Sequence, residues 1–272
     1  MHDNPLVSVV MATHNRAEYL KKAADSVFAQ TYKNIELVIV NDASTDKTLE
    51  VISELARKDK RIIALTNETN SGYQKSLNRG VSLARGEYIA RIDDDDTWPD
   101  PQKLEKQVGF LQNRKDYFLV GGGAIWIDKT GKEIFRYLSP KENKEIRKQI
   151  LLKNQFVHSS VVFRKKDWEK AGKYSEEWLY CDWALWLELG KMGKLYNFPE
   201  YFVNYLKWEN NITNFNVRKN LKEEIAIRKE YRMNYPNYSK AIIFGWMHYL
   251  SSFLPFKNKI RSVYNIIKKQ YE

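Results

Sequence analysis

Cysteine is almost missing from this chain of 272 residues. Cys181 stands alone, so no intramolecular disulfide can form, and a reducing compartment, the cytoplasm, is expected. Long apolar runs are missing as well. The longest, Ala241 to Leu254, is interrupted by His248, Ser251 and Ser252, and it falls short of the ~18 residues a membrane-spanning helix needs. The polar opening Met1 to Pro5 and the short apolar run after it do not read as a signal peptide. No G-x-G-x-x-G follows the first strand signal, which excludes the phosphate turn of a nicotinamide dehydrogenase. Internal repeats and low-complexity linkers are also lacking. With 43% hydrophobic and 14% aromatic residues, the chain has material for a core and is not expected to be disordered.

Charge is abundant but uneven. The net is +11, and from Phe215 onward twelve lysines and arginines face four glutamates, a local net of +8. The excess points that end toward an anionic surface. No nucleic-acid recognition motif accompanies it, so nucleic acid is not an expected partner. Nothing in the sequence sets an oligomeric state.

The first hundred residues alternate strand and helix signals. Leu6 to Ala12, Ile35 to Val40, Arg61 to Leu65 and Glu87 to Ile92 are apolar runs of strand length. Between them, Arg16 to Gln30, a stretch capped by Ser44-Thr45-Asp46 and running through Leu55, and Tyr73 to Ala84 carry apolar residues at helical spacing. Near-continuous Val/Ile strands separated by helices predict a parallel, doubly wound sheet, whose ligands bind beyond the carboxyl ends of the strands. Those ends are Thr13-His14-Asn15, Asn41-Asp42, Asn67 to Asn70 and Asp93 to Asp96. Further on, Lys103 to Leu111 reads as a helix, Tyr117 to Ile127 as a strand and Asp128-Lys129-Thr130-Gly131 as a hairpin turn. Pro140 to Leu152 is helical, His158 to Arg164 a short strand, Asp182 to Lys191 a helix and Leu195 to Lys207 strand-like. The remainder is helical, with a break near Pro236.

The four consecutive aspartates Asp93 to Asp96 after an apolar strand are the densest chemical signal. In an extended segment, side chains two apart point the same way, so Asp93 and Asp95 are expected to face one ion. All-oxygen ligands suit Mg²⁺ or Mn²⁺, which share their shell with substrate phosphates. On these residues alone a solvated acidic turn or a calcium loop is the alternative.

In their order, several segments resemble family 2 glycosyltransferases. They are Val7 to Arg16, Leu37 to Asp46, Asn70-Ser71-Gly72 with Leu77 to Gly80, Gly86 to Asp96, His158-Ser159-Ser160, and Asp182 to Trp186. The likeness covers roughly Pro5 to Thr213. It implies an α/β, GT-A-type doubly wound mixed sheet flanked by helices, here with a C-terminal helical extension. It also implies an inverting, metal-dependent hexosyltransferase that moves a hexose or N-acetylhexosamine from a nucleotide sugar, with a UDP-sugar favoured. The expected division is 1–100 for the donor half, 101–214 for the acceptor and base half, and 215–272 for the basic extension.

The same resemblance carries residue roles. Asp95 is expected at the metal, and Asp93 at the metal or the ribose, with Asp94 beside them in the donor site. Asp42 falls at the family's uracil contact, with a helix cap or turn carboxylate as the alternative. Thr13, Asn15 and Arg16, at the first strand's end, suit phosphate or ribose. Asn70 joins them, as does Lys75 unless it lies on a solvated helix face. Asp182 occupies the position of the catalytic base, with a helix N-cap as the alternative, although Cys181 stands where the family has a glutamate. Inversion needs no covalent intermediate, so Cys181 is not expected to act as a nucleophile. His158, Trp183 and Trp208 belong to the acceptor side, with a core histidine as the alternative for His158. Relatives carry Arg and His where Leu206 and Trp208 stand here, so Lys207 is the expected substitute for the diphosphate contact.

The tail completes the reading. Ile260, Val263, Tyr264 and Ile267 fall at helical spacing among Lys259, Arg261, Lys268 and Lys269. Phe244, Trp246, Tyr249, Phe253 and Phe256 precede them. This pattern suits a peripheral helix on an anionic leaflet, or else aromatics packed back on the domain. Together these features lead to the expectation of a lipid-linked glycan acceptor in polysaccharide or O-antigen assembly. A soluble or protein acceptor, or an inactive sugar-nucleotide-binding module, is the alternative.

Overall fold

A computed structural model describes residues 4–207 and 216–253. The expected alternation is present: β1 (Val7–Thr13), α1 (Ala17–Phe28), β2 (Ile35–Asn41), α2 (Thr48–Lys58), β3 (Ile62–Thr66), α3 (Tyr73–Leu83) and β4 (Tyr88–Arg91). Next come α4 (Lys103–Asn113), β5 (Tyr117–Ile127), β6 (Glu133–Tyr137), α5 (Asn143–Gln149), β7 (Val162–Arg164), α6 (Lys165–Lys170), α7 (Cys181–Met192) and β8 (Lys194–Leu206). Helices α8 (Val217–Glu230) and α9 (Tyr238–Ser251) follow, separated by the expected break around Pro236.

Among the described residues the sheet has eight strands in the order β3-β2-β1-β4-β7-β5-β6, with β8 also paired to β5. β1, β2, β3 and β4 pair in parallel. From β4 onward the sheet turns mixed, because β7 inserts antiparallel between β4 and β5. β6 returns antiparallel on β5 through the expected turn, and β8 runs parallel to it. The His158 to Arg164 stretch is not one strand: His158–Ser160 is a turn of 3₁₀ helix, and only Val162–Arg164 pairs.

β1 and β2 are buried along their whole length, as strands covered on both faces must be. Their one acidic residue, Glu36, is 1% exposed. It accepts from Ser8 Oγ at 2.6 Å and from the Arg85 backbone and guanidinium at 2.7 Å each. Burial alone would raise its pKa, but Ser8 and Arg85 hold it below the usual carboxylate value. Gly86 closes this knot. Its N–H donates to Ser8 Oγ at 2.8 Å, and a Cβ there would fall 2.6 Å from the Ser8 nitrogen, so no side chain fits.

The described residues form two compact units. One contains 4–147 and 154–207. The other contains Lys148–Lys153 and 216–253. In the second unit, Arg228 is 2% exposed; it donates to the carbonyls of Leu151 and Leu152 at 3.0 Å each and to Glu224 at 3.0 Å.

Candidate active site

The carboxyl ends of β1 and β2 are tied together by polar side chains. His14 Nδ1 donates to the Asp42 carbonyl at 2.7 Å. That fixes the proton on Nδ1 and leaves Nε2 to accept from Asn15 and Asn70. Asn15, in left-handed backbone with φ 55°, accepts the Thr45 and Asp46 N–H groups on its Oδ1. The Arg16 N–H donates to Thr48 Oγ1 at 2.9 Å. Asn15 therefore braces the loop leading into α2, a role its expected ligand contact did not include. Asp46 accepts the Thr48 N–H at 2.9 Å, but the cap position of α2 is Lys47, one residue beyond the expected cap, and it makes no side-chain cap hydrogen bond.

Asp42 is 3% exposed and already well occupied. Oδ1 accepts from Asn67 at 2.7 Å and the Ser71 N–H at 2.8 Å, while Oδ2 accepts the Gly72 N–H at 2.8 Å. Gly72, at φ 92°, opens α3, so Asp42 clasps the N-terminus of that helix from the neighbouring strand. Burial would raise its pKa, but these donors hold it below the ordinary value. Lys75, further along α3, is exposed.

The acidic block is a turn rather than an extended segment: the Asp96 N–H donates to the Asp93 carbonyl at 3.2 Å. The premise that Asp93 and Asp95 share a direction through extended alternation therefore fails. Asp93 turns inward to Arg91, a fully buried guanidinium at the end of β4. It also accepts from Tyr73 Oη at 2.8 Å and Ser159 Oγ at 3.1 Å. Burial works against its charge, but Arg91 beside it keeps the Asp93 carboxyl below the usual range. Asp94 and Asp96 behave oppositely. Burial and the charge of Asp95 push Asp94 up to about 8, against the pull of Thr13 and Arg16. Asp96, 1% exposed, is pushed well up by burial and by Asp95 and Asp93; it shares the Ser159 hydroxyl with Asp93 and accepts the Leu206 N–H. The Thr13 hydroxyl is buried without a hydrogen-bond partner at ordinary distance, facing Asp94.

His158 sits between two tyrosines. Tyr73 Oη is 3.2 Å from Nδ1, and Tyr174 Oη is 3.0 Å from Nε2. Because Tyr73 spends its one proton on Asp93 and receives Arg91, it must accept from Nδ1–H, and Tyr174 then donates to Nε2. Burial and the nearby Arg91 lower the imidazole to about 3, so the ring is neutral. Both ring nitrogens are thus satisfied, while the side chain is half-buried.

Asp182 opens α7. Asn154 Nδ2 donates to its Oδ2 at 2.8 Å, and Asn154 Oδ1 in turn accepts the Phe156 N–H at 3.1 Å. Burial raises Asp182 to about 6, opposed by the Trp183 N–H and Asn154 and assisted by Asp93. Cys181 is 1% exposed and its thiol is pushed far up by burial, which leaves no thiolate for nucleophilic work. Trp183, expected on the acceptor side, is 2% exposed. Trp208 and the basic stretch 257–269 lie outside the described residues, whereas Lys207 is described and exposed.

The two sets of carboxylates converge. Tyr205 on β8, whose phenol burial raises far up, also feels Asp96, Asp93, Asp95 and Asp182. Among the described residues no three or more His, Cys, Asp or Glu side chains form a preformed metal cage. One or two carboxylates at the end of a strand suit a hard cation that draws its other ligands from phosphates and water. The donor set therefore fits Mg²⁺ or Mn²⁺.

A profile of the family named Glycosyl transferase family 2 matches residues 8–172. The chain belongs to that family. It is 40% identical over 190 residues to an uncharacterized glycosyltransferase of Methanocaldococcus jannaschii, a match spanning 68% of this chain and 64% of that protein. It is 27% identical over 248 residues to the amylovoran biosynthesis glycosyltransferase AmsE of Erwinia amylovora, spanning 90% and 91%. Against the Methanocaldococcus protein the match thus falls just under two thirds of the relative's length. The fold is shared with a mannosyltransferase of Pyrobaculum calidifontis in complex with GDP-Man and Mn²⁺ (TM-score 0.66, 18% identity, 92% of this chain and 71% of that one). It is shared also with S. aureus TarS in complex with UDP-GlcNAc (TM-score 0.68, 18% identity, 93% and 74%). The family 2 chain therefore has the GT-A architecture, a mixed sheet flanked by helices.

Sequence reading missed Tyr73, Arg91, Asn154, Ser159 and Tyr174. Arg91 carried a signal, because a cation inside an apolar strand demands a buried partner. Asn154 carried none, lying 28 residues from Asp182.

Proposed function

We propose that this glycosyltransferase inverts the sugar it moves, takes it from a UDP-sugar with a divalent cation, and extends a lipid-linked glycan in cell-surface polysaccharide assembly. The observation that carries the reading is Asp182. Its carboxyl, raised to about 6 and oriented by Asn154, is ionised at neutral pH and near the operating range that suits a general base. It also lies close enough to the acidic turn to feel the charge of Asp93.

In this reading Asp182 accepts the proton of an acceptor hydroxyl while that oxygen's electron pair forms the new bond to the anomeric carbon. The bond from that carbon to the diphosphate oxygen breaks on the opposite face, its electron pair leaves with the diphosphate, and the configuration inverts. Asp95 would hold the cation, with Asp94 beside it; when bound, the cation neutralises the charge that grows on the diphosphate. Asp93 serves the site through Arg91, fixing the turn. Asp42 holds the Asn70-Ser71-Gly72 turn against the donor end of the sheet, and Thr13, Asn15, Arg16 and Lys75 line the approach of the nucleotide. The polysaccharide role is supported by AmsE, named for amylovoran biosynthesis, and cation use by the Mn²⁺ complex of the mannosyltransferase.

Solved neighbours hold GDP-Man and UDP-GlcNAc, so the choice of nucleotide is tested directly. The purified protein is incubated with Mn²⁺ and a panel of UDP- and GDP-sugars, and sugar release and competition by UDP or GDP are measured. Turnover of a UDP-sugar that UDP inhibits and GDP does not is the expected result. Turnover of GDP-sugars alone, or turnover undiminished by a chelator, would refute the donor or the cation.

A further inference from the structure

Helix α9 is assembled inside out. Its buried positions are the small residues Ala241 and Gly245, with Ser252 just beyond its end. A Cβ on Gly245 would stand 3.1 Å from Ile225 and 3.3 Å from Arg228 of α8, so the two helices approach closely through this small-residue side. The large apolar side chains face outward: Ile243 is 59% exposed, Met247 65%, Leu250 61% and Phe253 51%, with Trp246 at 42%. They recur three and four apart, which places them on one stripe. A helix of a soluble domain buries such a stripe; a contiguous exposed one marks an interaction site.

The flank of the stripe is cationic. On α8, Arg218 lies 4.1 Å over the Phe253 ring, Lys222 5.6 Å over Tyr249 and Lys229 5.7 Å over Trp246. The cations thus stand on the faces of the aromatic rings at the border of the apolar stripe. Of the neighbouring acids, Glu224 is engaged by Arg228 on the inner side, while Glu223 and Glu230 also belong to α8. Across 216–253, seven lysines and arginines face three glutamates.

We propose that the outward face of α9 lies on an anionic phospholipid surface, with Met247 and Leu250 entering the acyl boundary and Arg218, Lys222 and Lys229 at the phosphates. At 14 residues the helix is roughly 21 Å long, too short to span a bilayer, and no described helix is long and apolar enough to do so. Aromatic residues with adjacent cations are the composition of an interfacial helix. A second copy of the chain is the poorer occupant, because a two-fold contact would set this cationic flank against itself. The inference rests on the second unit alone and is independent of the transfer chemistry.

The test uses the full chain and sedimentation with phosphatidylcholine vesicles, with or without phosphatidylglycerol. The wild type should pellet only with the anionic vesicles and release as salt rises. Replacing Arg218, Lys222 and Lys229 with Gln should weaken partitioning by roughly fivefold per cation, about a hundredfold together. Met247→Glu with Leu250→Glu should weaken it at least about tenfold, with circular dichroism and nucleotide binding unchanged. Should that variant misfold, a polarity-sensitive dye on Met247→Cys replaces it, since Cys181 is buried; a blue shift on anionic vesicles is expected, and no shift overturns the proposal. Full binding by both variants would overturn it too, placing the contact in residues 254–272 or elsewhere. So would a wild-type dimer that Met247→Glu dissociates without any lipid effect.

Discussion

Asn154 donates a hydrogen bond to Asp182 across 28 residues of sequence, at 2.8 Å, and this contact opposes the burial that raises the pKa of the proposed base. Asp182→Asn should leave UDP affinity nearly intact and reduce transfer by about 10²–10⁴-fold. Collapse of UDP affinity in that variant would make Asp182 a donor-site residue instead.

The same pair predicts two pH effects. The base must be deprotonated, so kcat should fall by half near pH 6, the value to which burial raises Asp182. Removing the Asn154 donor favours the protonated form, so Asn154→Ala should move that acid limb toward neutral pH in a rate profile. A carboxyl raised above its unfolded value stabilises the fold below the unfolded pKa and loses that contribution as pH rises through the folded one. Asp182→Asn should therefore melt higher than the wild type at pH 7–8, by roughly 1–2 kcal/mol after discounting its partial exposure. The advantage should vanish below about pH 4. An unchanged melting temperature at both pH values would refute the raised pKa.

Asp93 and Asp95 should separate by assay. Asp95→Ala should lose Mn²⁺ binding in calorimetric titration with UDP present, yet melt normally. Asp93→Asn should retain Mn²⁺ binding but lose about 3–5 kcal/mol of stability, because Arg91 is left buried without its carboxylate. The reverse pattern would make Asp93 the ligand and its ion pair with Arg91 incidental.

Asp42→Asn exchanges one acceptor oxygen for a donor facing the Asn67, Ser71 or Gly72 donors. A loss of about 1–3 kcal/mol is expected, with weakened UDP binding following from a loosened turn. Weakened UDP binding at unchanged melting temperature would point to a direct nucleotide contact.

Lys103 is fully buried as the first residue of α4. Its amine donates to Gln107 at 2.8 Å and lies 3.9 Å over the Trp98 ring, and burial holds its pKa well below the ordinary value. A helix N-terminus also disfavours a cation. Lys103→Met should raise the melting temperature by a few degrees at pH 7, roughly 1 kcal/mol. Because the folded amine binds fewer protons than the unfolded one, wild-type stability should climb as pH rises from the folded pKa toward about 10.4, and the variant should lack that climb in calorimetry. A lower melting temperature would show that the Gln107 and Trp98 contacts outweigh the cost of burial.

The Val/Ile strands β1 and β2 were legible because both faces of each are covered, so their sequence has no polar phase to misread. The acidic block was legible as chemistry but not as shape. Alternation applies only to extended backbone, and the Asp96-to-Asp93 hydrogen bond closes a turn instead. β7 was blurred because three residues carry too little pattern to separate a strand from the 3₁₀ turn before it. Trp183 shares a motif with Asp182, yet helical geometry sends adjacent side chains in different directions, and Trp183 is buried where Asp182 is half-buried. The partners of Arg91 and His158 are set by tertiary packing, which no local pattern encodes.

The antiparallel insertion of β7 bears on synthesis of the chain. Tyr88, Ile89 and Ala90 of β4 are paired on one side by β1 and on the other only by Arg164, Phe163 and Val162, residues made some seventy positions later. Until those residues emerge, the N-terminal parallel strands present a bare apolar edge, the kind that recruits foreign strands. A fragment ending at residue 100 would keep that edge permanently. Residues 1–100 are thus not a free-standing module that could be cut out or swapped, and their solubility depends on the part of the chain that carries Asp182.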